Sequence, residues 1–323
     1  MARGGRQGVA GSSGEDYIED KDAKHLLDSI GKIVHDQVKN DDAKKYKDDL
    51  KGDLNTANGY NSETRGTTDT CELVKQYYER VNKGGGGNGD PCKELSGKMF
   101  ENPFSDTLGG QCTNEKMRSG GKGACAPYRR LHLCHHNLES INTNNYDSDN
   151  AKHKLLLEVC MAAKYEGNSI NTHYLKHEHT NQGTASQLCT VLARSFADIG
   201  DIVRGKDLFL GNTYESAQRK QLEKNLKKIF EKIHDKLDGK IKSNYNNDTK
   251  NYYQLREDWW TANRATIWEA ITCDVHGSDY FRPTCGGGTS PTQGDCRCKG
   301  DQVPTYFDYV PQYLRWFEEW AED

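Results

Sequence analysis

Apolar residues recur along this chain at spacings of three and four, the spacing of helix faces. In "LARSFADIGDIVRGKDLF" (192–209), Leu192, Phe196, Ile199 and Val203 form one stripe, with Asp198 and Asp201 off it. Gly200 sits mid-helix, which fits the close approach of another helix, and Gly205 marks a C-terminal stop. Three more long helices follow from the same periodicity: "HKLLLEVCMAAKYEG" (153–167), "SAQRKQLEKNLKKIFEKIHDKL" (216–237) and "YYQLREDWWTANRATIWEAITC" (252–273). The helix at 216–237 puts Leu222, Leu226, Ile229, Phe230, Ile233 and Leu237 on one face and Lys220, Lys224, Lys227 and Lys228 on the other. Near the start, Leu26, Leu27, Ile30, Ile33, Val34 and Val38 share one side of a predicted helix, and Tyr46, Leu50 and Leu54 make a weaker stripe. Pro311 opens a last helix, where Tyr313, Phe317 and Trp320 share a face that has no obvious partner in the chain. Strand-like alternation is nearly absent, so the fold class is mainly α.

Cysteine placement divides the chain. Residues 1–65 contain none and read as a separate N-terminal helical segment packed on the remainder. Residues 66–130 hold Cys71, Cys92, Cys112 and Cys125 among Gly-rich loops and show little lasting periodicity, which predicts an irregular subdomain stapled by disulfides. Residues 131–303 read as a helical bundle, and 304–323 as the start of a further unit.

Composition sharpens this reading. A chain of 323 residues with 34% hydrophobic content implies about two domains and a thin core. The remaining cysteines are Cys134, Cys160, Cys189, Cys273, Cys285, Cys296 and Cys298, eleven in all, and no pair of CxxC motifs has zinc-finger spacing. A disulfide framework is therefore the better use, each bridge contributing about 2–4 kcal/mol. The odd count leaves one thiol over, either free or paired with a cysteine beyond residue 323. No apolar run of signal-peptide or membrane-spanning length occurs, in tension with the oxidising compartment that cystines need. A net charge of −4 argues against a globally basic nucleic-acid binder.

Motifs for chemistry are weak. His173 and His177 have the i, i+4 spacing of a helical metal pair, but no HExxH motif is present. Cys134, among His132, His135 and His136, reads as a half-cystine rather than a nucleophile. The Gly-rich runs lack the Lys-Ser/Thr of a phosphate loop, and no Gly-x-Ser-x-Gly occurs. No enzyme, metal or cofactor is indicated. What remains are basic clusters: Lys220, Lys224, Lys227 and Lys228; Lys44, Lys45, Lys47 and Lys51; and Arg129 with Arg130. Such clusters suit sulfated polyanions, and they equally suit a solvated helix face.

Several long blocks, "ARSFADIGDIVRGKDLF" (193–209), "LREDWWTANRATIWEAITC" (255–273), "PTYFDYVPQYLRWFEEWAED" (304–323) and "APYRRLHLCHHNLE" (126–139), resemble the signature blocks of Duffy-binding-like domains of alpha class. The cysteine-free head around "HLLDSIGKIVHDQV" (25–38) is similar to the segment that precedes them in Plasmodium falciparum erythrocyte membrane protein 1. The resemblance implies an adhesin module on the infected red-cell surface, exported without a conventional signal and anchored by a span far downstream. It implies three subdomains, the third cut off after residue 323, which would account for the odd thiol and the unpartnered aromatics. Ligands implied for the class are heparan sulfate, blood-group sugars or complement receptor type 1, with a cysteine-rich interdomain region as neighbour. The alternative it leaves open is a variable spacer that presents a neighbouring receptor-binding domain and has no ligand of its own.

Overall fold

The computed structural model describes residues 22–40, 47–59, 67–83, 89–93, 102–104, 125–181, 187–211, 213–248, 250–300 and 302–322. Helices run in the order α1 (Ala23–Asn40), α2 (Lys47–Leu50), α3 (Leu54–Ala57), α4 (Thr70–Asn82), α5 (Tyr128–Leu131), α6 (His136–Glu139) and α7 (Ala151–Thr180). There follow α8 (Leu188–Arg204), α9 (Thr213–Lys236), α10 (Gly239–Lys242), α11 (Tyr253–Ile271), the single turn α12 (Cys285–Gly288) and α13 (Gln312–Glu322). Among the described residues only two isolated β-bridges occur, so the mainly α expectation holds.

The core is the seam where α7, α8 and α11 meet, flanked by α9. Leu192, Phe196, Ile199 and Val203 are all fully buried there, as their stripe predicts. A Cβ on Gly200 would stand 2.7 Å from the Trp260 ring of α11, so this glycine is what allows the two helices to approach. Asp198 and Asp201 lie off the stripe. They are buried as well, because α8 is covered on every side. A helix with polar residues on one flank can be enclosed in this way only if each charge meets a partner.

The N-terminal segment joins this core instead of merely resting on it. Leu50 and Leu54 are buried in the same cluster as the α7 and α11 side chains. Asn263 of α11 accepts from the Gly52 N–H (2.7 Å) and donates to the Leu50 carbonyl (3.0 Å). The α1 stripe is corrected. Leu27 is buried, but Leu26, Ile30 and Ile33 face outward at 47%, 38% and 56% exposure. What seats α1 is Asp28, fully buried, whose carboxylate accepts from Arg282, from the Tyr280 hydroxyl and from the Tyr306 N–H. That polar hub rotates the helix away from the orientation its apolar residues would choose.

The expected irregular subdomain is more ordered at its start than its sequence suggests. Asp69 caps α4 by accepting from the Glu72 N–H (2.8 Å), and α4 buries Leu73 and Val74. Disulfides join Cys71 to Cys273, Cys92 to Cys134, Cys189 to Cys296 and Cys285 to Cys298, and Cys125 is disulfide-bonded too. Cys134 is thus a half-cystine, as expected. Cys112 lies outside the described residues. Among the described cysteines the free one is Cys160, fully buried on α7 with its sulfur 3.8 Å from the Thr266 carbonyl of α11. Burial, then the nearby Glu269 charge, pushes its thiol pKa far up. Of the two alternatives for the odd thiol, the described cysteines match the free one: packing isolates Cys160.

One histidine at the N-terminal junction gives the fold a pH dependence. His153 Nδ1 accepts from the Asp53 N–H (2.8 Å), so that nitrogen carries no proton in the folded state. Burial, then Lys152, lowers its pKa below the ordinary 6.5. The unfolded chain therefore binds this proton at higher pH than the folded one. Stability is complete above pH 6.5 and should fall as the pH drops through the window below it. His153→Gln keeps an acceptor that does not titrate, and should reduce the loss in urea midpoint between about pH 7 and about pH 5.5; an undiminished loss would refute this role.

Candidate functional site

Among the described residues α9 carries a dense set of exposed charges. Its inner stripe, Leu222, Leu226, Ile229, Phe230 and Ile233, is buried against the body. The 3.6-residue period then forces Lys220, Lys224, Lys227 and Lys228 outward, and all four are exposed. None of them makes an ion pair within the described residues. The carboxylate that would dilute them most, Glu223, turns aside to the buried guanidinium of Arg256 on α11 (3.0 Å). Asp235, further along, takes Lys242 (3.1 Å). Four ammonium groups within nine residues, about 12 Å of helix, are left to solvent.

The second cluster lies elsewhere. Lys47 and Lys51 line a cavity of about 510 Å³ between α1, α2, α11 and the 302–306 segment, together with Lys32, His35 and Arg264. Asp36 and Asp258 share its wall, and Asp36 pairs with Lys32 (2.7 Å), so the cavity is only partly basic. Lys44 and Lys45 lie outside the described residues.

Arg129 and Arg130 are not surface groups, and their place among candidate ligand-binding residues is corrected. Arg129 is 4% exposed, donates to Asp198 of α8 (2.7 Å) and to Glu319 of α13 (2.8 Å), and reaches Ser195 (2.8 Å). Burial alone would lower its pKa, but Glu319 and Asp198 outweigh burial and raise it. Arg130 is 1% exposed and paired with Asp207 (2.6 Å), which also holds Arg219. Arg315 of α13 completes the network, donating to Asp198 (2.7 Å) and Asp201 (2.6 Å). Sequence reasoning missed this cluster because an Arg-Arg pair on a short segment looks like any solvated charge; the carboxylates it needs lie 69 to 190 residues away.

The histidines find local partners. His173 Nδ1 lies 2.8 Å from the Ser169 carbonyl one turn back, His177 stacks on Phe104 (4.2 Å), and His135 pairs with Glu139 (3.1 Å). Tyr313, Phe317 and Trp320 lie on the outer side of α13 at 49%, 71% and 37% exposure, with Trp316 buried on the opposite side. Trp320 is not wholly unpartnered, since its indole N–H donates to the Cys125 carbonyl (3.0 Å). Among the described residues no helix is long and apolar enough to cross a membrane.

The chain is similar to known proteins over most of its length. The family profile described as Duffy binding domain matches residues 123–315, and the one described as N-terminal segments of PfEMP1 matches residues 22–58. The Duffy receptor of Plasmodium vivax (strain Salvador I) is 26% identical over 287 residues, 81% of this chain and 22% of its own length. The chain thus spans about a fifth of that curated relative. The NTS-DBL1-alpha and CIDR-gamma double domain of PfEMP1 from the Plasmodium falciparum varO strain superposes with a TM-score of 0.72 at 36% identity, over 93% of this chain and 43% of that one. A DBLb domain of PfEMP1, solved bound to human ICAM-1, superposes with a TM-score of 0.64 at 26% identity, over 93% of this chain and 61% of the other.

Proposed function

Since this chain belongs to the Duffy binding domain family and carries the N-terminal segment of PfEMP1 ahead of that domain, we propose that it is an adhesion module displayed on the infected erythrocyte, binding sulfated glycans through the outer face of α9. The observation that carries the ligand is the set of four exposed lysines, Lys220, Lys224, Lys227 and Lys228, without carboxylate partners. Polyanion affinity arises from many weak charge pairs with released counterions, which a cluster this dense supplies and a scattered surface does not. The Lys47 and Lys51 cavity is a secondary contact, its charge partly offset by Asp36 and Asp258.

Reversing Lys224, Lys227 and Lys228 to Glu should move elution from a heparin column to clearly lower salt. It should also flatten the dependence of log K on log [salt] by roughly 1 for each lysine–sulfate pair removed. Unchanged elution would exclude this face. A second reading, a variable spacer that presents a neighbouring receptor-binding domain, is favoured by the rigidity that the disulfides and the enclosed α8 confer. It requires the isolated chain to bind neither heparin nor red cells where the chain joined to its neighbour binds.

A further inference from the structure

At the start of α11, beside α9, one aromatic ring is held out to solvent. Tyr253, the first residue of α11, is 46% exposed. The residue before it, Tyr252, has φ of 57°, a left-handed conformation that is strained for a residue with a side chain. Tyr252 turns its own ring inward, 5% exposed and 5.5 Å from His234, while Tyr253 points out. Strain of this kind persists only where the surroundings enforce it, and it concentrates at functional positions.

The ring is supported from beneath. Gly205, with φ of 74°, lies so close that a Cβ there would stand 2.9 Å from Tyr253 Cε1 and 2.9 Å from an Arg256 nitrogen. Arg256 is fully buried, its guanidinium 5.6 Å from the centre of the Tyr253 ring and 5.5 Å from that of Phe230. One nitrogen of Arg256 pairs with Glu223; Nε and Nη2 have no hydrogen-bond partner, and the guanidinium lies over these two rings. The same Glu223 ties the ring to the lysines. Lys220 precedes it by three residues and Lys227 follows it by four, so both stand one turn from Glu223 on α9, and Glu223 and Tyr253 meet the same Arg256 guanidinium.

A fixed aromatic ring beside two ammonium groups matches a sugar with charge on it. The C–H-bearing face of a hexose packs on an aromatic plane, and a sulfate on the same or the next unit reaches a lysine. Tyrosine suits this work because it offers a large contact area with only two side-chain torsions to freeze. We propose that Tyr253 is a stacking platform for one hexose of a sulfated glycan whose sulfates meet Lys220 and Lys227. This rests on the glycan reading of α9 and adds to it that the site reads a sugar ring as well as charge.

The test compares a size-defined heparin hexasaccharide with inorganic polyphosphate, which carries charge without a ring, on the full chain by calorimetry. Tyr253→Ala should weaken the hexasaccharide by on the order of tenfold and leave polyphosphate unchanged, and Tyr253→Phe should bind both as the parent does. Tyr253→Leu, which keeps apolar bulk at the same place, should behave as the alanine variant and guards against a folding artefact. Equal affinities for the hexasaccharide in Tyr253→Ala and the parent, or equal losses on both probes, would overturn the platform while leaving the charge reading intact. If the parent binds neither probe, the glycan reading falls and takes the platform with it.

Discussion

Asp198→Ala should be the most damaging single substitution on α8, destabilising the protein by on the order of 3–5 kcal/mol. The carboxylate is fully buried and accepts from Arg129 (2.7 Å), Arg315 (2.7 Å), Gln312 (3.0 Å) and the Trp316 indole (3.3 Å). Burial pushes its pKa up, and Arg129 with Arg315 outweighs that and holds it below the usual carboxylate range. Removing it takes one carboxylate from each of two buried guanidinium groups, leaving Arg129 with Glu319 and Arg315 with Asp201, and loosens the hold of α5 and α13 on α8 together. At roughly 2–4 °C per kcal/mol for a chain of this order, the melting temperature should drop by about 10 °C. Asp198→Asn keeps hydrogen-bond acceptance without the charge and should fall between. Lys224→Glu, on the exposed face of α9, should melt within about 0.5 kcal/mol of the parent. A fall of less than about 2 °C in Asp198→Ala would mean that the network does not hold the helices together.

Removing the Cys71–Cys273 bridge should cost about as much by a different route. It closes a separation of 202 residues, tying the start of α4 to the residues just after α11. Restricting so long a loop in the unfolded chain is worth roughly 5 kcal/mol on the chain-entropy account, against about 3 kcal/mol for Cys285–Cys298 with its separation of 13. The double variant Cys71→Ala/Cys273→Ala should therefore unfold at lower urea than Cys285→Ala/Cys298→Ala. The opposite order would show that local packing around the short loop, and not the unfolded chain, sets the contribution.

The helices were legible where an apolar stripe of about three turns meets no competing polar contact. Leu192 to Val203 and Leu222 to Ile233 are buried as their spacing requires, and Gly205 ends α8 in a left-handed turn at φ of 74°. Legibility failed where a long-range polar contact overrode the local pattern. Leu26, Ile30 and Ile33 read as the inner face of α1, yet Asp28 claims the inner position because Arg282, Tyr280 and Tyr306 are waiting for it more than 250 residues away. Arg129 and Arg130 fail for the same reason. The basic face of α9 was legible because burial of its apolar side dictates where the lysines go. Tyr253 was not, since its exposure depends on the turn at Tyr252 and on Gly205 in a different helix.

Cys160 has one more consequence. Its sulfur is sealed between α7 and α11 at the middle of the bundle, so an alkylating reagent reaches it only during moments when those two helices part. Mass added at that residue over time would thus count the breathing of the bundle's centre, a clock that needs no introduced cysteine and leaves the lysine face untouched.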